Sequence, residues 1–345
     1  MINGIIFGGK SYEHEISIVS AITVLKKLSS IDTAIFVDTD HTFYAIPLEK
    51  MQAKFFASKA YRKMPKVTLA HRGFVQKKLF GSTAILDKTF VNMVHGADGE
   101  DGTLASMLDF YEIRYIGPRT AASVMSYDKY LTKMYAHACG VKTLDYYVVG
   151  RGEKVELPFG LPVIVKPLTL GSSIGISIVR AMSELEYALD VAFEYDEKVI
   201  IEPFIEGVKE YNQAGTWSHE GWHLSIIEEP QKGEFLDFEK KYLDFSRSGS
   251  VNSASLDNAV QARIQEQFKK IYGHYFRGAL IRCDFFVIEG EVYLNEINPI
   301  PGSMANYLFE DFVAVMQKLS TALPHPRDIR VSYNYIHQIH AAKGK

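Results

Sequence analysis

The first stretch of the chain is a short apolar run followed by a glycine turn and a periodic apolar pattern. Residues 2–7 are almost all apolar and end at a glycine pair, and Ile18, Ile22 and Leu25 then follow at helical spacing. A strand, a glycine turn and a helix in this order are typical of the opening of a parallel α/β sheet. The pattern therefore predicts an N-terminal α/β domain.

A second apolar run, at residues 90–94, predicts another strand and leads into the segment HGADGEDG. Between the two runs, residues 40–90 show no clear period and carry scattered Lys and Arg, so we expect an irregular elaboration there, to which we assign no function. The turn-forming pair Gly117-Pro118 is a candidate domain boundary.

The middle of the chain alternates between helical and strand patterns. Leu131, Met134, Tyr135 and Ala138 lie at helical spacing, and Gly140 follows as a candidate C-terminal cap. Around this helix we predict strands at 146–149, 163–165 and 200–201, and a helix that starts at a capping-box pattern formed by Ser183 and Glu186.

The region from about residue 207 combines strand patterns with one long amphipathic helix. We predict strands near Tyr211, Leu224 and Phe285 and a helix that carries Val260, Ile264, Phe268 and Ile271. Residues 231–253 are rich in Lys, Asp, Ser and Gly, which indicates a loop. A loop of that length inside a compact domain is typical of an active-site lid or a disordered segment.

Composition narrows the class of protein. The 345 residues suffice for two or three domains of roughly 150 residues each. The 38 Lys and Arg and 41 Asp and Glu are interspersed and leave a net charge of -3, which argues against bulk binding to nucleic acid. The N-terminus lacks a basic signal region, and no apolar run reaches the roughly 18 residues that span a bilayer. We expect a cytoplasmic protein without a membrane partner, in which Cys139 and Cys283 are small core residues.

The segment FRGALIRCDFFVIEGEVYLNEINPIPG carries the most informative polar residues. Its two apolar strands flank an EG dipeptide and predict a hairpin. A two-residue loop points Asp284 and Glu296 to opposite faces. A three-residue loop that includes the preceding isoleucine places Arg282 opposite Glu296 and Asp284 opposite Leu294, so that Arg282, Asp284, Glu296 and Asn298 share one face. Such oxygen ligands suit Mg²⁺ bound to substrate phosphates. The alternative is a solvated polar face of an edge hairpin, since an Arg among three oxygen ligands also resembles a plain ion-pair network.

A glycine-rich loop, LTLGSSIGIS, follows the predicted strand that carries Lys166. Its glycines permit close backbone approach and its serines can donate hydrogen bonds, so a nucleotide phosphate is a reasonable occupant, with an ordinary flexible hairpin as the alternative. Lys129, His95 and Glu13 are further polar candidates. Taken singly, they also fit a solvated lysine, a polar turn and the start of a helix.

Together these motifs resemble the D-alanine:D-alanine ligases of the ATP-grasp superfamily. The matching segments are GGKSYEHEIS (8–17), HGADGEDGTLAS (95–106), SYDK (126–129), VIVKP with GSSIG (163–175), IEPFIEG with Glu210, KKYL (240–243), and RCDFF with NEINPIPG. The resemblance implies an N-terminal parallel α/β substrate-binding domain at 1–117. It further implies a central ATP-grasp subdomain at 118–206 and a C-terminal catalytic domain at 207–345, whose mixed sheets sandwich ATP.

The resemblance also implies the nucleotide and metal ligands. It assigns Lys129 and Lys166 to the phosphates, Glu202 and the backbone of Phe204 and Ile205 to the adenine, Glu210 to the ribose, Ser173 and Phe286 to the same nucleotide site, and Lys241 to the lid. Asp284, Glu296 and Asn298 match the Mg²⁺ ligands. Two ions are implied, and Mn²⁺ is expected to substitute for them.

In the family reaction, one D-alanine carboxylate attacks the γ-phosphorus of ATP, and the amine of a second D-alanine attacks the resulting acylphosphate. The residues matched to these steps are Glu13 at the first ammonium, His95 near the first carboxylate, Ser172 and Tyr242 as partners of Glu13, and Arg282 with the Gly302 N–H at the oxyanion. Tyr242 also favours a dipeptide product over D-alanyl-D-lactate.

One position departs from the family pattern. Tyr307 stands where the family often has a serine that grips the second substrate's carboxylate, so we expect either its hydroxyl or backbone N–H groups to take that role. The family is commonly dimeric, and a homodimer is therefore expected. The rival hypotheses are a different ATP-grasp carboxylate–amine ligase and a nucleotide-binding module without turnover.

Overall fold

The computed structural model describes residues 1–78, 81–230, 251–325 and 329–343, and three sheets organise these ranges. Their strands are β1 (Ile2–Gly8), β2 (Thr33–Val37), β3 (Phe43–Ile46), β4 (Lys66–Ala70), β5 (Gly73–Lys77), β6 (Ser82–Leu86), β7 (Thr89–Asn92), β8 (Arg114–Ile116), β9 (Lys142–Thr143), β10 (Tyr147–Gly150), β11 (Val163–Pro167), β12 (Ser177–Val179), β13 (Lys198–Pro203), β14 (Lys209–Ser218), β15 (Gly221–Glu228), β16 (Ile281–Ile288) and β17 (Glu291–Asn298).

Helices cover the faces of these sheets. They are α1 (His14–Lys27), α2 (Ala53–Ala57), α3 (Thr103–Phe110), α4 (Thr120–Tyr127), α5 (Lys129–Ala138), α6 (Leu185–Phe193), α7 (Asn258–Tyr272), α8 (Phe312–Thr321) and α9 (Asn334–Lys343). In the ranges that the structure describes, none of them is both long enough and apolar enough to cross a membrane. The predicted α/β fold class is confirmed.

The N-terminal sheet has the strand order β6-β5-β4-β3-β2-β1-β7-β8. Strands β1, β2, β7 and β8 run parallel, as the opening pattern predicts, and their carboxyl ends meet at one edge of the sheet. Helix α1 packs on one face through Ile18 and Val24, and α3 packs on the other through Leu108. A parallel sheet covered on both faces needs nearly continuous apolar strands, which explains the uninterrupted run at residues 2–7.

The prediction of an irregular elaboration at residues 40–90 is wrong. Strands β3 to β6 continue the N-terminal sheet in antiparallel fashion, and Val67 and Phe74 extend its core. These strands are short and partly exposed, with basic residues such as Lys66 and Lys77 on the solvent side. The apolar alternation is therefore too brief to stand out from the surrounding polar sequence.

The central sheet, β10-β13-β11-β12, is antiparallel throughout, and α6 covers one face of it. The predicted helix is present, but its first turn differs from the prediction. Glu184, rather than Glu186, accepts hydrogen bonds from the backbone N–H groups of Arg180 and Ala181, at 2.8 and 3.3 Å. A 3-10 turn at residues 182–184 precedes α6 and shifts the cap by two residues.

The C-terminal sheet has the order β15-β14-β16-β17-β9, and α7 packs on it through Ile264, Phe268 and Ile271. Among the described residues, elements of different predicted domains share sheets and cores. Strand β9 pairs with β17, and Met316 of α8 joins the core of the N-terminal sheet. The three-domain division at residues 117 and 206 stays a prediction.

The two cysteines are free thiols. Cys283 is buried in the core of the C-terminal sheet, as predicted. Cys139 is only half-buried, because it caps the end of α5, so its assignment to the core is wrong. Residues 231–250, which form most of the predicted lid, lie outside the described residues.

Candidate active site

A two-residue turn joins β16 to β17, and a β-bulge corrects the register behind it. Ile288 pairs with Glu291, so the loop consists of Glu289 and Gly290, whose φ angles of 51° and 80° are typical of a type I′ turn. Phe285 pairs with Leu294, but Asp284 pairs with Glu296, which leaves Asn295 as the extra residue of a bulge.

The bulge decides which side chains meet. Asp284 lies directly opposite Glu296, and Arg282 lies opposite Asn298, so the four groups share one face. The predicted three-residue loop is wrong, and so are the pairings that it implied, Arg282 with Glu296 and Asp284 with Leu294. The predicted common face is nevertheless present, because the inserted residue in β17 reverses the alternation that the two-residue turn would impose.

Neighbouring strand β14 enlarges this polar face. Glu210 lies opposite Phe286, and Asn212 lies opposite Asp284. Arg282 holds the Asp284 carboxylate through Nε and Nη2, at 2.7 and 2.8 Å, and Asn298 Nδ2 donates to the same carboxylate at 3.1 Å. The predicted ribose and metal residues are therefore on one surface of the C-terminal sheet.

The electrostatics of this face fit a divalent cation. Burial, with the charges of Glu296 and Glu210, raises the pKa of Asp284 to about 7 although Arg282 acts in the opposite direction. Carboxylates directly opposed across two strands repel each other, and a cation between them relieves that repulsion. In the described part of the chain, no three His, Cys, Asp or Glu side chains form a metal-binding group, so the candidate set is Asp284, Glu296 and the Asn298 amide.

A buried carboxylate in the central sheet bridges two lysines. Glu202 of β13 forms ion pairs with Lys166 of β11 through Oε2 and with Lys133 of α5 through Oε1. Burial alone would raise the pKa of Glu202, but the two ammonium groups lower it to about 2. For Lys166, burial opposes the charged form, yet the Glu202 carboxylate raises the pKa above its usual range.

Lys129 supports the base of the glycine-rich loop. Its ammonium donates to the carbonyl of Leu170 at 2.6 Å, and its backbone N–H donates to the carbonyl of Leu168 at 3.1 Å. Ser172 and Ser173 in the loop both have left-handed φ angles, 55° and 58°, which turn the backbone sharply after Gly171. Burial lowers the pKa of Lys129, and the charge of Glu296 acts against this shift, so the lysine lies within electrostatic range of the acidic hairpin face.

The first glycine turn of the N-terminal sheet meets the glycine-rich loop at Glu13. Ser172 Oγ donates a hydrogen bond to Glu13 Oε1, and Glu13 is only 7% exposed. The other carboxylate oxygen, Oε2, is buried and has no hydrogen-bond partner among the residues that the structure describes. Burial, with the charge of Glu100, raises the pKa of Glu13 to about 7. A buried acceptor of this kind is ready to receive a cationic donor.

His95 and Glu100 complete this corner. His95 Nδ1 lies 3.6 Å from Glu100 Oε1, and burial lowers the pKa of the imidazole to about 4, so His95 is neutral at physiological pH. Burial raises the pKa of Glu100 to about 8. Sequence reasoning missed Glu100, although it is part of HGADGEDG, because an acidic residue in a turn-rich segment is ordinarily solvated.

A cavity of about 580 Å³ opens at the edge of the central sheet. It is lined by Leu161, Pro162, Arg180, Phe204, Ile205 and Glu206. The Phe204 N–H donates to the Pro162 carbonyl at 2.9 Å and is not available for a base. The predicted use of the Phe204 backbone is thus restricted to its carbonyl group.

Tyr307 borders the Arg282 face. Its hydroxyl donates to Glu228 Oε2 at 3.4 Å, and the tyrosine also interacts with Arg282. It lies in a 3-10 segment, Gly302–Leu308, in which Ser303, Met304 and Ala305 have φ angles near 50°. Burial raises the pKa of Tyr307 to about 12, so the hydroxyl is a donor at neutral pH. Lys241 and Tyr242, the remaining predicted site residues, lie outside the described residues.

Family comparisons agree with this arrangement. Residues 3–118 match the model of the D-ala D-ala ligase N-terminus, and residues 138–316 match that of the D-ala D-ala ligase C-terminus. The chain belongs to the D-alanine–D-alanine ligase family. The family resemblance that the motifs carry is therefore confirmed.

Individual family members are similar over their whole length. The D-alanine–D-alanine ligases of Sulfurimonas denitrificans and Wolinella succinogenes are 58% and 56% identical to the chain, and each alignment covers 99% of both proteins. The crystal structure of D-alanine–D-alanine ligase from Helicobacter pylori has 48% sequence identity and a TM-score of 0.85, covering 95% of this chain and 100% of that one. The family's fold therefore extends over nearly the entire chain.

Proposed function

We propose that this protein joins two D-alanine molecules to D-alanyl-D-alanine with ATP, through an acylphosphate, as a step in peptidoglycan precursor synthesis. Its membership of the ligase family supports the reaction class. The observation that carries the proposal is the Ser172–Glu13 hydrogen bond, because it places a buried acceptor from the N-terminal sheet against a loop suited to phosphate. An amino acid held there has its carboxylate within reach of a triphosphate.

For the nucleotide, we assign the phosphates to Lys129, Lys166 and the N–H groups near Ser173. We assign the adenine to the cavity beside Phe204 and Ile205, whose lining combines apolar side chains with the Arg180–Glu206 ion pair. Glu202 is expected to accept a hydrogen bond from the adenine amino group. Glu210 and Phe286, opposite each other on β14 and β16, are assigned to the ribose and to the base.

For the first D-alanine, Glu13 receives the ammonium on its buried Oε2, and His95 lies near the carboxylate. Because burial lowers the pKa of His95 to about 4, the imidazole is neutral and does not compete with the ammonium for the Glu13 carboxylate. The carboxylate then attacks the γ-phosphorus of ATP, and ADP leaves. Positioning of the two reactants supplies most of the rate enhancement in reactions of this type.

For the second D-alanine, the attacking amine forms the new C–N bond as phosphate leaves the acyl carbon. Asp284 holds the Arg282 guanidinium in place through two hydrogen bonds, so the cation is oriented before an oxyanion develops. The Gly302 N–H is assigned as the second donor to that oxyanion. We assign the Tyr307 hydroxyl to the carboxylate of the second substrate.

Asp284, Glu296 and Asn298 would hold Mg²⁺, which offsets phosphate charge when it is bound. Two ions, replaceable by Mn²⁺, are part of this proposal. Because the reaction consumes ATP and serves precursor synthesis, we place it in the cytoplasm. A homodimer without nucleic-acid partners is the proposed assembly.

Phosphate release in the presence of ATP and Mg²⁺ tests the function. D-alanine, L-alanine and D-serine are each supplied alone, and D-lactate is supplied together with D-alanine. We expect release only when D-alanine is present and D-alanyl-D-alanine as the main product by mass spectrometry. Equal rates of phosphate release with D-alanine and L-alanine would contradict the assignment. So would a main product other than D-alanyl-D-alanine when D-alanine and D-lactate are supplied together.

A further inference from the structure

A second lysine lies behind Lys166 and serves the same carboxylate. Helix α5 begins at Lys129, and Lys133 follows one turn later on the same helix face. The Lys133 side chain is 3% exposed. Its ammonium pairs with Glu202 Oε1 and donates to the carbonyl of Leu144 at 3.1 Å. Protein groups therefore hold Lys133 in place.

Lys166 is the lysine of this pair that can reach a ligand. It lies diagonally beside Glu202, since Ile164 is the residue directly opposite Glu202 in the β11–β13 ladder. Its side chain is 12% exposed, against 3% for Lys133. Lys166 also follows the strand into the glycine-rich loop, whereas Lys133 is enclosed between α5, Leu144 and the ring of Tyr146, 5.4 Å away.

The shared carboxylate poses an electrostatic problem for phosphate binding. A folded protein is strongly destabilised when a buried carboxylate loses its only cationic partner. If Lys166 were the sole partner of Glu202, it could turn toward a triphosphate only by leaving that charge unpaired. With Lys133 fixed on the other oxygen, Glu202 keeps a partner whatever Lys166 does.

We propose that Lys133 is a positioning residue for nucleotide binding: it is the permanent counterion of Glu202, and it thereby releases Lys166 to the triphosphate. The inference rests on the proposed function, because it assumes that ATP is the ligand of Lys166. Lys133 itself does not touch the nucleotide.

Calorimetric titration of the full chain with Mg²⁺-ATP, in the absence of D-alanine, tests the role. In Lys133→Met, Glu202 retains Lys166, and we expect the Kd for ATP to rise by roughly 100-fold. The KM for D-alanine at saturating ATP should change little, because Glu13 and Ser172 are untouched. Lys133→Arg keeps the positive charge and should recover most of the loss.

The double variant Lys133→Met/Glu202→Gln separates this role from a structural one. Glu202→Gln alone should weaken ATP binding, since it leaves Lys133 without a counterion and replaces a charged acceptor for the adenine amino group by a neutral one. In the Lys133→Met background the same change removes the charge that holds Lys166, and we expect it to tighten ATP binding roughly tenfold relative to Lys133→Met. The double variant removes the two most deeply buried charges together, so that of these three groups only Lys166, whose side chain is 12% exposed, stays charged.

The matched control is Lys142→Met, which removes a lysine from an exposed ion pair with Glu291 at 2.8 Å and should leave the Kd unchanged. Unaltered ATP binding in Lys133→Met would overturn the inference. So would a double variant that binds ATP no better than Lys133→Met, or a loss of ATP and D-alanine affinity in parallel. If the unsubstituted protein binds no ATP, the proposed function fails instead.

Discussion

Ser172 and Glu13 are 159 residues apart in the chain, and a single hydrogen bond joins them. The contact connects the glycine-rich loop of the central sheet to the first helix of the N-terminal sheet. Gly171 permits the approach, since a Cβ at this position would lie 3.2 Å from both carboxylate oxygens of Glu13. The site therefore depends on close packing of two loops that belong to different sheets.

The pKa of Glu13 predicts a pH dependence for the first substrate. Because burial raises that pKa to about 7, Glu13 in the free protein takes up a proton as the pH falls below 7, and the ammonium of D-alanine must displace it. We expect kcat/KM for the first D-alanine to fall by up to about tenfold per pH unit below 7. His95, with a pKa of about 4, does not contribute in that range.

Initial rates of phosphate release at low D-alanine, from about pH 5.5 to 8.5, measure this dependence. Glu13→Gln should be slow and should flatten the inflection, with Asp284, whose pKa is about 7, and Glu100, at about 8, as the remaining titrating groups of the site. An unchanged inflection in that variant would assign the titration to another group.

Gly96→Ala should disturb the same corner without changing any charge. A Cβ at Gly96 would lie 2.8 Å from both Glu13 Oε2 and Ser11 Oγ. We expect the KM for the first D-alanine to rise at least about tenfold, as one lost charged contact is worth roughly 1.5–3 kcal/mol. Gly140→Ala is the matched control, because Gly140 has a similar φ of +67° but no atom within 4 Å of its Cβ position. Similar kinetics for both variants would show that backbone strain, not contact with Glu13, is responsible.

Glu296→Gln should abolish turnover and leave the fold intact, because one candidate metal ligand loses its charge. Phosphate release across a range of Mg²⁺ concentrations and the melting temperature are the two measurements. Glu291→Gln, at the exposed beginning of the same strand, is the control and should retain activity. Near-normal activity of Glu296→Gln would refute the metal assignment.

Tyr307→Phe tests how the second substrate is held. Its hydroxyl lies between Glu228 and Arg282, and we expect its removal to raise the KM for the second D-alanine by roughly tenfold, the value of one hydrogen bond to a charged group. The KM for the first D-alanine should stay the same. Kinetics that separate the two KM values test this prediction. A change confined to the KM for the first D-alanine would place Tyr307 in the first subsite and contradict the assignment.

The sequence alone suggests candidate site residues, but it does not predict the strand register that brings them to one face. The motifs nominate Glu13, Lys166, Glu202 and Asp284 because each occurs in a short, distinctive pattern, and the functional roles of these residues stay predictions. The register of the hairpin cannot be predicted from the turn, since the two-residue loop and the bulge at Asn295 have opposite effects on the facing of β17. Only contacts with the neighbouring strands determine where the extra residue is placed.

Lys133 and the short strands of the N-terminal sheet escape sequence reasoning for a different reason. Lys133 is one turn after Lys129, and that spacing is the signal that could have identified it. A lysine on a helix is ordinarily solvated, however, and only the packing of α5 against β13 reveals that it is buried beside Glu202. Strands β3 to β6 do not stand out in the sequence, because their alternation is short and basic residues interrupt it. Packing rather than propensity stabilises them.

The bulge at Asn295 makes chain length in this hairpin as important as residue identity. Deleting one residue between the turn and Glu296, even a chemically indifferent one, would rotate Glu296 and Asn298 into the apolar core and bring Ile297 onto the polar face. A substitution between the turn and Glu296 changes one side chain, but the insertion or deletion of one residue reverses the facing of every residue that follows it in β17. Relatives with an intact site should therefore keep the same spacing between turn and acidic residue even where the intervening residues vary.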